Sequence, residues 1–334
     1  MQADAGVPAR AGLVGHPSDG YGGATLSVTL GNFAAHVECR EAECLRIEPV
    51  GDDESHEGAE PLIAASVRRF CRHCARGGVH YEPRVHIRYR SRIPREVGLA
   101  GSSALVIATL RALAQLSGVP IARAELPAIA LAVETEELGI AAGPQDRIVQ
   151  TLGGLVFMDF ERGRHERLDA TILPELFVAW HAEAPTASGA AHAVVRERHA
   201  SGDALVAGAM RTLAGLAHDA RAALERGDHD GFADALEAGF DVRARIFELD
   251  PRHTLMIDAA RALGLPATYT GSGGAVVGIA RDSAAVAALA ERLEPAGVKL
   301  ARATMAQIAV VGYPLRSTVS LGLQANRRRA ARVG

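Results

Sequence analysis

Hydrophobic and polar residues alternate over several short segments of the chain, as in half-buried strands. In VHIRYR, residues 85–90, the apolar side chains share one face and the polar side chains share the other. Similar criteria predict further strands over residues 26–30, 35–39, 45–48, 155–160, 177–181, 275–280 and about 301–311. Residues 51–60 are acidic and contain glycine, so we expect a surface loop there.

Longer runs carry apolar residues at helical spacing. They predict helices over residues 63–75, 104–116, 125–138, 190–199, 204–224, 231–247 and 284–293. One more helix has clear ends, because Asp250 can cap it, Pro251 suits its first turn and Gly264 terminates it. Strands and helices are grouped unevenly instead of alternating. We therefore predict an α+β fold.

Composition narrows the classes of function. The chain has 334 residues, enough for a large core or two domains, and a formal net charge of −3. This slightly negative net charge argues against nucleic acid as a partner. The one basic cluster, residues 326–332, is expected to belong to a disordered tail rather than to a lipid- or RNA-binding one. No apolar run has the length of a membrane span and no signal peptide is evident, so we expect no membrane partner and a cytoplasmic location.

Cys71 and Cys74 form a CxxC motif, which occurs in zinc and redox sites. The motif falls in the predicted helix over residues 63–75, where residues three apart simply share a face. Cys39 falls in a predicted strand. We therefore expect buried or unreactive thiols rather than a metal or redox site.

The stretch GLAGSSA, residues Gly98–Ala104, lies between a predicted strand and a predicted helix. A Gly- and Ser-rich loop that opens a helix gathers free backbone N–H groups at the positive end of the helix dipole, which suits an anion. No Lys follows the glycines, so the loop is not a Walker motif, and it does not fit GxGxxG. It is interpreted as a phosphate-binding loop of another class.

Three further blocks accompany this loop: PARAGLVGHPSD at residues 8–19, ETEELGIAAGPQDR at 134–147 and GSGG at 271–274. In this order, the four blocks resemble those of the GHMP kinase superfamily, which includes galactose, homoserine, mevalonate and phosphomevalonate kinases. The resemblance implies two lobes: a ribosomal S5-like α/β lobe over residues 1–182 and a ferredoxin-like lobe over 183–325, followed by the tail at 326–334.

The resemblance also implies roles for individual residues. Asp146 would be the catalytic carboxylate and Arg10 would stabilise the transferring phosphoryl group. Asp19 would bind sugar hydroxyls, and Ser103 (or its rival Ser102) with Glu134 would bind Mg²⁺. The nucleotide phosphates of ATP would be held by Gly98, Leu99, Ala100, Gly101, Ser102, Ser103 and Ala104. The substrate would also contact Arg147, Arg243, Gly271, Ser272, Gly273 and Gly274.

Within the superfamily, the blocks look closer to those of glucuronokinases than of galactokinases, because residues 16–19 read His-Pro-Ser-Asp where galactokinases have Glu-His-x-Asp. This likeness implies phosphorylation of D-glucuronate at its anomeric hydroxyl, giving D-glucuronate 1-phosphate and ADP by direct in-line transfer. Alternatives are a kinase for galactose, a heptose phosphate or another hexose, and a non-catalytic sensor that binds sugar and ATP.

A uronate carries a carboxylate, so its site should contain a cation, ideally a forked Arg. Arg147, Arg243 and Arg245 are the candidates. Arg243 and Arg245 fall two apart in a predicted helix and therefore point in different directions, so at most one should face the site. We favour Arg243.

Overall fold

A computed structural model describes residues 1–51, 58–181 and 188–306 of the chain. Its first sheet has strand order β3-β4-β2-β5-β6, and β1 pairs with β2 outside this path. The strands are β1 (Gln2–Val14), β2 (Ala24–Glu41), β3 (Arg46–Pro49), β4 (Val85–Ser91), β5 (Leu155–Asp159) and β6 (Arg164–Leu168). β2 is long enough to pair with β1 along one edge and with both β4 and β5 along the other.

The second sheet is antiparallel, with order β10-β7-β9-β8. Its strands are β7 (Leu176–His181), β8 (Ala267–Tyr269), β9 (Ala275–Ile279) and β10 (Val298–Arg302). The largest cluster of buried apolar residues includes side chains from both sheets, among them Val28 of β2 and Val277 of β9. The two sheets therefore meet in this cluster, and a second cluster packs α8 and α9 on the second sheet.

Helices cover the sheets. They are α1 (Glu60–Arg76), α2 (Gly101–Ser117), α3 (Leu126–Ala132), α4 (Gln145–Leu152), α5 (Ser188–Ala200), α6 (Ala204–Glu225), α7 (His229–Ala244), α8 (Pro251–Arg261) and α9 (Ser283–Leu293). Helix α2 packs on β1 and β2 with eleven buried residues, so it is apolar around most of its circumference. As predicted, Asp250 caps α8, accepting a hydrogen bond from the N–H of Arg252 at 2.9 Å. The predicted α+β class is confirmed.

Three elements near the site differ from the prediction. Strand β1 was not predicted, because its Ala, Gly and Pro residues lack a strand signature; it is nonetheless almost wholly buried from Val7 onward. Residues 125–138 do not form one helix: α3 ends at Ala132, and a π-helical turn follows over Val133–Glu137. Helix α4 was also missed, although Pro144 before it and Gly153 after it are helix-end signals.

Some predictions concern residues at or beyond the limits of the described ranges. β7 pairs within the second sheet, and the predicted lobe boundary at residue 182 falls outside the described residues, so the lobe limits stay a prediction. The predicted tail and residues beyond 306 of the last predicted strand also fall outside them.

Cys71 and Cys74 lie on α1 as free thiols, and burial raises the pKa of each. No described helix has the length and apolar character needed to cross a membrane.

Candidate functional site

A cavity of about 580 Å³ opens where the N-terminal end of α2, the turn before α4, and helices α5 and α7 meet. Most of the predicted site residues line it. They are Arg10, Asp19, Gly98, Leu99, Ala100, Gly101, Ser102, Glu134, Asp146, Arg147, Arg243, Gly271 and Ser272. Four predicted residues do not line it: Ser103, Ala104, Gly273 and Gly274.

The cavity floor is formed by the first turn of α2. Ala100 precedes the helix in the left-handed conformation, with φ of 60°, and turns the chain into the helix at Gly101. The N–H groups of Gly101 and Ser102 lie in the first turn, where a helix offers them no internal acceptor. No acidic residue occupies this turn. The N-terminal end of α2 therefore presents the positive end of its helix dipole to the cavity, as an anion site requires.

Two glycine loops are packed directly against each other beside this turn. Gly98 has φ of +78°, and a Cβ on it would lie 3.0 Å from the Ser272 nitrogen. A Cβ on Gly271 would lie 2.6 Å from the Gly98 oxygen. Only glycine allows this approach. Because Ser272 is brought against Gly98, the loop after β8 becomes part of the wall of the cavity.

Gly273 and Gly274, the last two residues of the GSGG block, do not line the cavity, which favours substrate contact by Gly271 and Ser272 only. A Cβ on Gly274 would lie 2.9 Å from Val97 Cα, and a Cβ on Gly273 would lie 2.8 Å from the His253 ring. These glycines permit packing behind the cavity rather than contact with its contents.

Asp146 and Arg10 meet at the centre of the cavity wall. Asp146 lies in the first turn of α4, and Arg10 lies on β1 with 5% of its surface exposed. The Arg10 guanidinium donates to the Asp146 carboxylate and to the Thr270 carbonyl. A carboxylate with a 23% exposed side chain thus faces the cavity beside a fixed cation. Such a pair can accept a proton and stabilise negative charge.

Asp19 faces the same space from the short turn Ser18–Tyr21. Its carboxylate accepts a hydrogen bond from the Gln145 N–H. Burial and the nearby Asp146 charge raise the pKa of Asp19 to about 6.

Glu134 and Arg147 form a buried ion pair, each with a side chain 3% exposed. Glu134 lies in the π-helical turn, and Arg147 also donates to the Gly143 carbonyl at 2.7 Å. Arg147 is therefore already neutralised, although it lines the cavity. On α1, Arg69 pairs with Glu137 at 2.9 Å and holds the same turn from its other side.

The hydroxyl of Ser103 is directed into the protein. It is fully buried and donates to the side-chain oxygen of Gln150 at 2.7 Å. Ser102 lines the cavity instead. Of the two serines weighed as metal ligands, this geometry favours Ser102 over Ser103, and the metal site stays a prediction. Ala104 is likewise inside α2, where its N–H donates to the Ala100 carbonyl.

Arg243 of α7 is a buried cation at the cavity wall. It is 3% exposed, and its Nη2 donates to the Gly271 carbonyl at 2.6 Å. Its Nε and Nη1 have no hydrogen-bond partner, and it forms no direct ion pair with a carboxylate of the described residues, although the Asp19 charge acts on it from across the cavity wall. Its guanidinium carbon lies 5.6 Å from the centre of the Phe247 ring. Burial lowers its pKa to about 10, so it stays charged at neutral pH. Arg245 is exposed and does not line the cavity.

Three cavity residues near Arg243 were not predicted: His16, His192 and Arg196. Burial and the charge of Arg243 lower the pKa of His16, and they lower that of His192 to about 4, so both rings are neutral near pH 7. His192 and Arg196 are four residues apart on α5 and therefore share one helix face. This spacing is the sequence feature from which a joint role at one site could have been predicted.

Comparisons with known proteins agree with the family resemblance seen in the sequence. The family model described as GHMP kinases N terminal domain matches residues 62–154, and the model described as GHMP kinases C terminal matches residues 220–299. Among curated proteins, Glucuronokinase 1 and Probable glucuronokinase 2 of Arabidopsis thaliana are each 35% identical to this chain, over 80% of it and 82% of the relative.

Solved structures show a similar fold. Lactococcus lactis galactokinase complexed with galactose matches with a TM-score of 0.76 and 18% identity, over 91% of this chain and 94% of its own. Methanococcus jannaschii mevalonate kinase matches with a TM-score of 0.73 and 14% identity, over 92% of this chain and 99% of its own. Both likenesses confirm the predicted architecture.

Proposed function

Because the chain belongs to the GHMP kinase family and is an ATP-dependent sugar kinase, we propose that it phosphorylates the anomeric hydroxyl of D-glucuronate. The products would be D-glucuronate 1-phosphate and ADP. One observation carries the choice of a sugar acid: the buried guanidinium of Arg243 lines the cavity, its Nε and Nη1 have no hydrogen-bond partner, and it forms no direct ion pair with a carboxylate of the described residues. The names of the two Arabidopsis thaliana relatives support the same acceptor.

Arg243 suits the carboxylate of a uronate, because a guanidinium presents paired, planar donors to a carboxylate. A neutral hexose has no group that would neutralise a buried cation, and an unpaired buried charge is unfavourable. His16 and His192 add no charge of their own near pH 7. Arg196 at the exposed rim supplies a second cation. The wall around Arg243 therefore favours an anionic sugar.

Asp146 and Arg10 would carry out the transfer. The carboxylate of Asp146 would accept the proton of the anomeric hydroxyl while that oxygen forms a bond to the γ-phosphorus of ATP and the bond to the ADP oxygen breaks. Arg10 would stabilise the negative charge on the transferring group. Asp19 would accept hydrogen bonds from other sugar hydroxyls. Transfer is direct, so no phospho-enzyme forms.

The first turn of α2 would hold the nucleotide phosphates through backbone N–H groups. Ser102 and Glu134 place oxygen donors on the cavity wall, and such donors fit Mg²⁺, which prefers oxygen ligands and keeps several waters. When bound, Mg²⁺ would neutralise charge on the phosphates. Ser102 and Glu134 would hold it, with Glu134 oriented by its pair with Arg147.

The test is a panel of acceptors assayed by ADP release, with D-glucuronate, D-galacturonate, D-glucose, D-galactose and a heptose phosphate. We expect turnover with D-glucuronate and a product phosphorylated at the anomeric oxygen. Arg243→Met should lower kcat/KM for D-glucuronate about 100-fold, since it removes a charged hydrogen-bond donor from a buried site. Arg245→Met, on the same helix but exposed, is the matched control and should stay within about threefold of wild type.

Full activity on D-galactose with none on D-glucuronate would contradict the proposed acceptor. A catalytically silent sensor is distinguished by Asp146→Asn. We expect this variant to bind ATP normally and to lose about 10²- to 10⁴-fold in kcat, as for other general bases. Binding of sugar and ATP by the wild type without any ADP release would favour the sensor.

A further inference from the structure

Gln150 connects three of the elements that form the cavity. It lies on α4 four residues after Asp146, hence on the same face of that helix, and it is fully buried. Its side-chain nitrogen donates to the Pro8 carbonyl at 3.0 Å and to the Ala100 carbonyl at 2.9 Å. Its side-chain oxygen accepts a hydrogen bond from Ser103 at 2.7 Å.

Each of these partners adjoins a residue assigned a part in the reaction. Pro8 lies two residues before Arg10 on β1, Ala100 immediately precedes α2, and Ser103 follows Ser102 in the first turn of α2. The amide of Gln150 uses both N–H donors and its oxygen on these three partners. One side chain therefore fixes the helix that carries Asp146 against both the strand of Arg10 and the phosphate loop.

We propose that Gln150 is a positioning residue for phosphoryl transfer, setting the separation between Asp146 and the anion site at the start of α2. In-line transfer depends on placement of the reacting atoms, and a misplacement of about 1 Å can cost about 100-fold in rate. The proposal rests on the roles proposed above for Asp146 and the α2 loop, and does not depend on which sugar is the acceptor.

Glutamine is the side chain that these partners require. Gln150 donates to two backbone carbonyls, one of which, at Ala100, also accepts from the Ala104 N–H, and it accepts from the Ser103 hydroxyl, whose other acceptor is the Ala100 carbonyl at 3.2 Å. Glutamate offers at most one hydrogen and only when protonated, while methionine offers none. Both substitutions preserve the approximate length of the side chain, so they change the hydrogen bonds more than the packing.

The experiment compares Gln150→Met and Gln150→Glu with a matched control, Thr151→Val. Thr151 is the next residue on α4 and is also buried, but its hydroxyl has no hydrogen-bond partner among the described residues. Nucleotide-binding stoichiometry gives the fraction of intact sites, and kcat is expressed per intact site with whichever sugar supports turnover. We expect kcat per site to fall about 100-fold in Gln150→Met, with less than threefold change in nucleotide affinity, and to stay near wild type in Thr151→Val.

A purely structural role would lower the number of intact sites or the thermal midpoint but leave kcat per site unchanged, and a value within threefold of wild type would overturn the proposal. Should Gln150→Met fail to fold, Ser103→Ala removes one of the three bonds and should lower kcat per site severalfold. Failure of D-glucuronate as acceptor, with normal turnover of another sugar, would refute the proposed substrate and leave the test of Gln150 intact.

Discussion

At the scale of single residues, Asp19 shows how its surroundings change the pKa of a carboxyl group in the cavity. Asp146 pairs with Arg10. Asp19 has a Gln145 N–H as partner, and burial together with the Asp146 charge raises its pKa to about 6. In its proposed role as an acceptor of hydrogen bonds from sugar hydroxyls, a carboxyl group with a pKa of about 6 would make substrate binding sensitive to pH.

We predict that kcat/KM falls as the pH decreases below about 6, because protonation removes a strong acceptor from Asp19. The pH profile of kcat/KM reports groups of the free enzyme, so it is the measurement to make. Asp19→Asn should have a lower plateau, about tenfold or more, and no acid limb near pH 6. A wild-type profile that stays flat from about pH 5 to 8 would contradict this role.

The raised pKa of Asp19 also predicts how the stability of the protein depends on pH. The folded pKa lies above the unfolded one, so the contribution of Asp19 to stability is present below about pH 4 and is lost as the pH rises through about 6. Asp19→Asn should therefore be more resistant to urea than wild type at about pH 8, by on the order of 2 kcal/mol. Near pH 4 the difference should disappear.

At the scale of elements, the π-helical turn over Val133–Glu137 is where local pattern and tertiary contacts disagree. Residues three apart on a regular α-helix share a face. Glu134 instead pairs with Arg147 at the cavity, while Glu137 pairs with Arg69 on α1. A continuous helix predicted from spacing could not include this change of direction, because it depends on partners distant in the chain.

We predict that Glu137→Gln lowers the free energy of unfolding by about 2 kcal/mol, since it removes the buried partner of the 6% exposed Arg69 side chain and leaves that cation paired only with the 64% exposed Glu136. Arg72→Met is the matched control: it removes another partner of Glu137, but one that is 59% exposed, so it should cost less than about 1 kcal/mol. Urea unfolding measures both. Equal effects would mean that burial does not set the strength of these pairs.

At the scale of the whole molecule, the cavity is assembled from parts that are far apart in sequence. Arg10, Asp146, Arg243 and Gly271 come from β1, α4, α7 and the loop after β8. Both sheets meet in the largest cluster of buried apolar residues. Ligands that bridge these elements should therefore stabilise the entire fold.

We predict that a non-hydrolysable ATP analogue and D-glucuronate each raise the thermal midpoint. A ligand at 100 times its Kd adds about 2.7 kcal/mol, which corresponds to a shift of a few degrees. In Arg243→Met the shift with nucleotide should remain and the shift with D-glucuronate should be lost. A D-glucuronate shift of wild-type size in this variant would show that Arg243 does not bind the carboxylate.

The sequence by itself determined the α+β class and the family, because these depend on local periodicity and on motifs readable in order. Tertiary structure decided which serine faces the cavity, which glycines of the GSGG block merely permit packing, and that Arg147 is neutralised while Arg243 is not. Gln150 belongs to the second group. Its role depends on three partners in β1 and α2, and contacts between residues distant in sequence leave no local pattern by which they could be predicted.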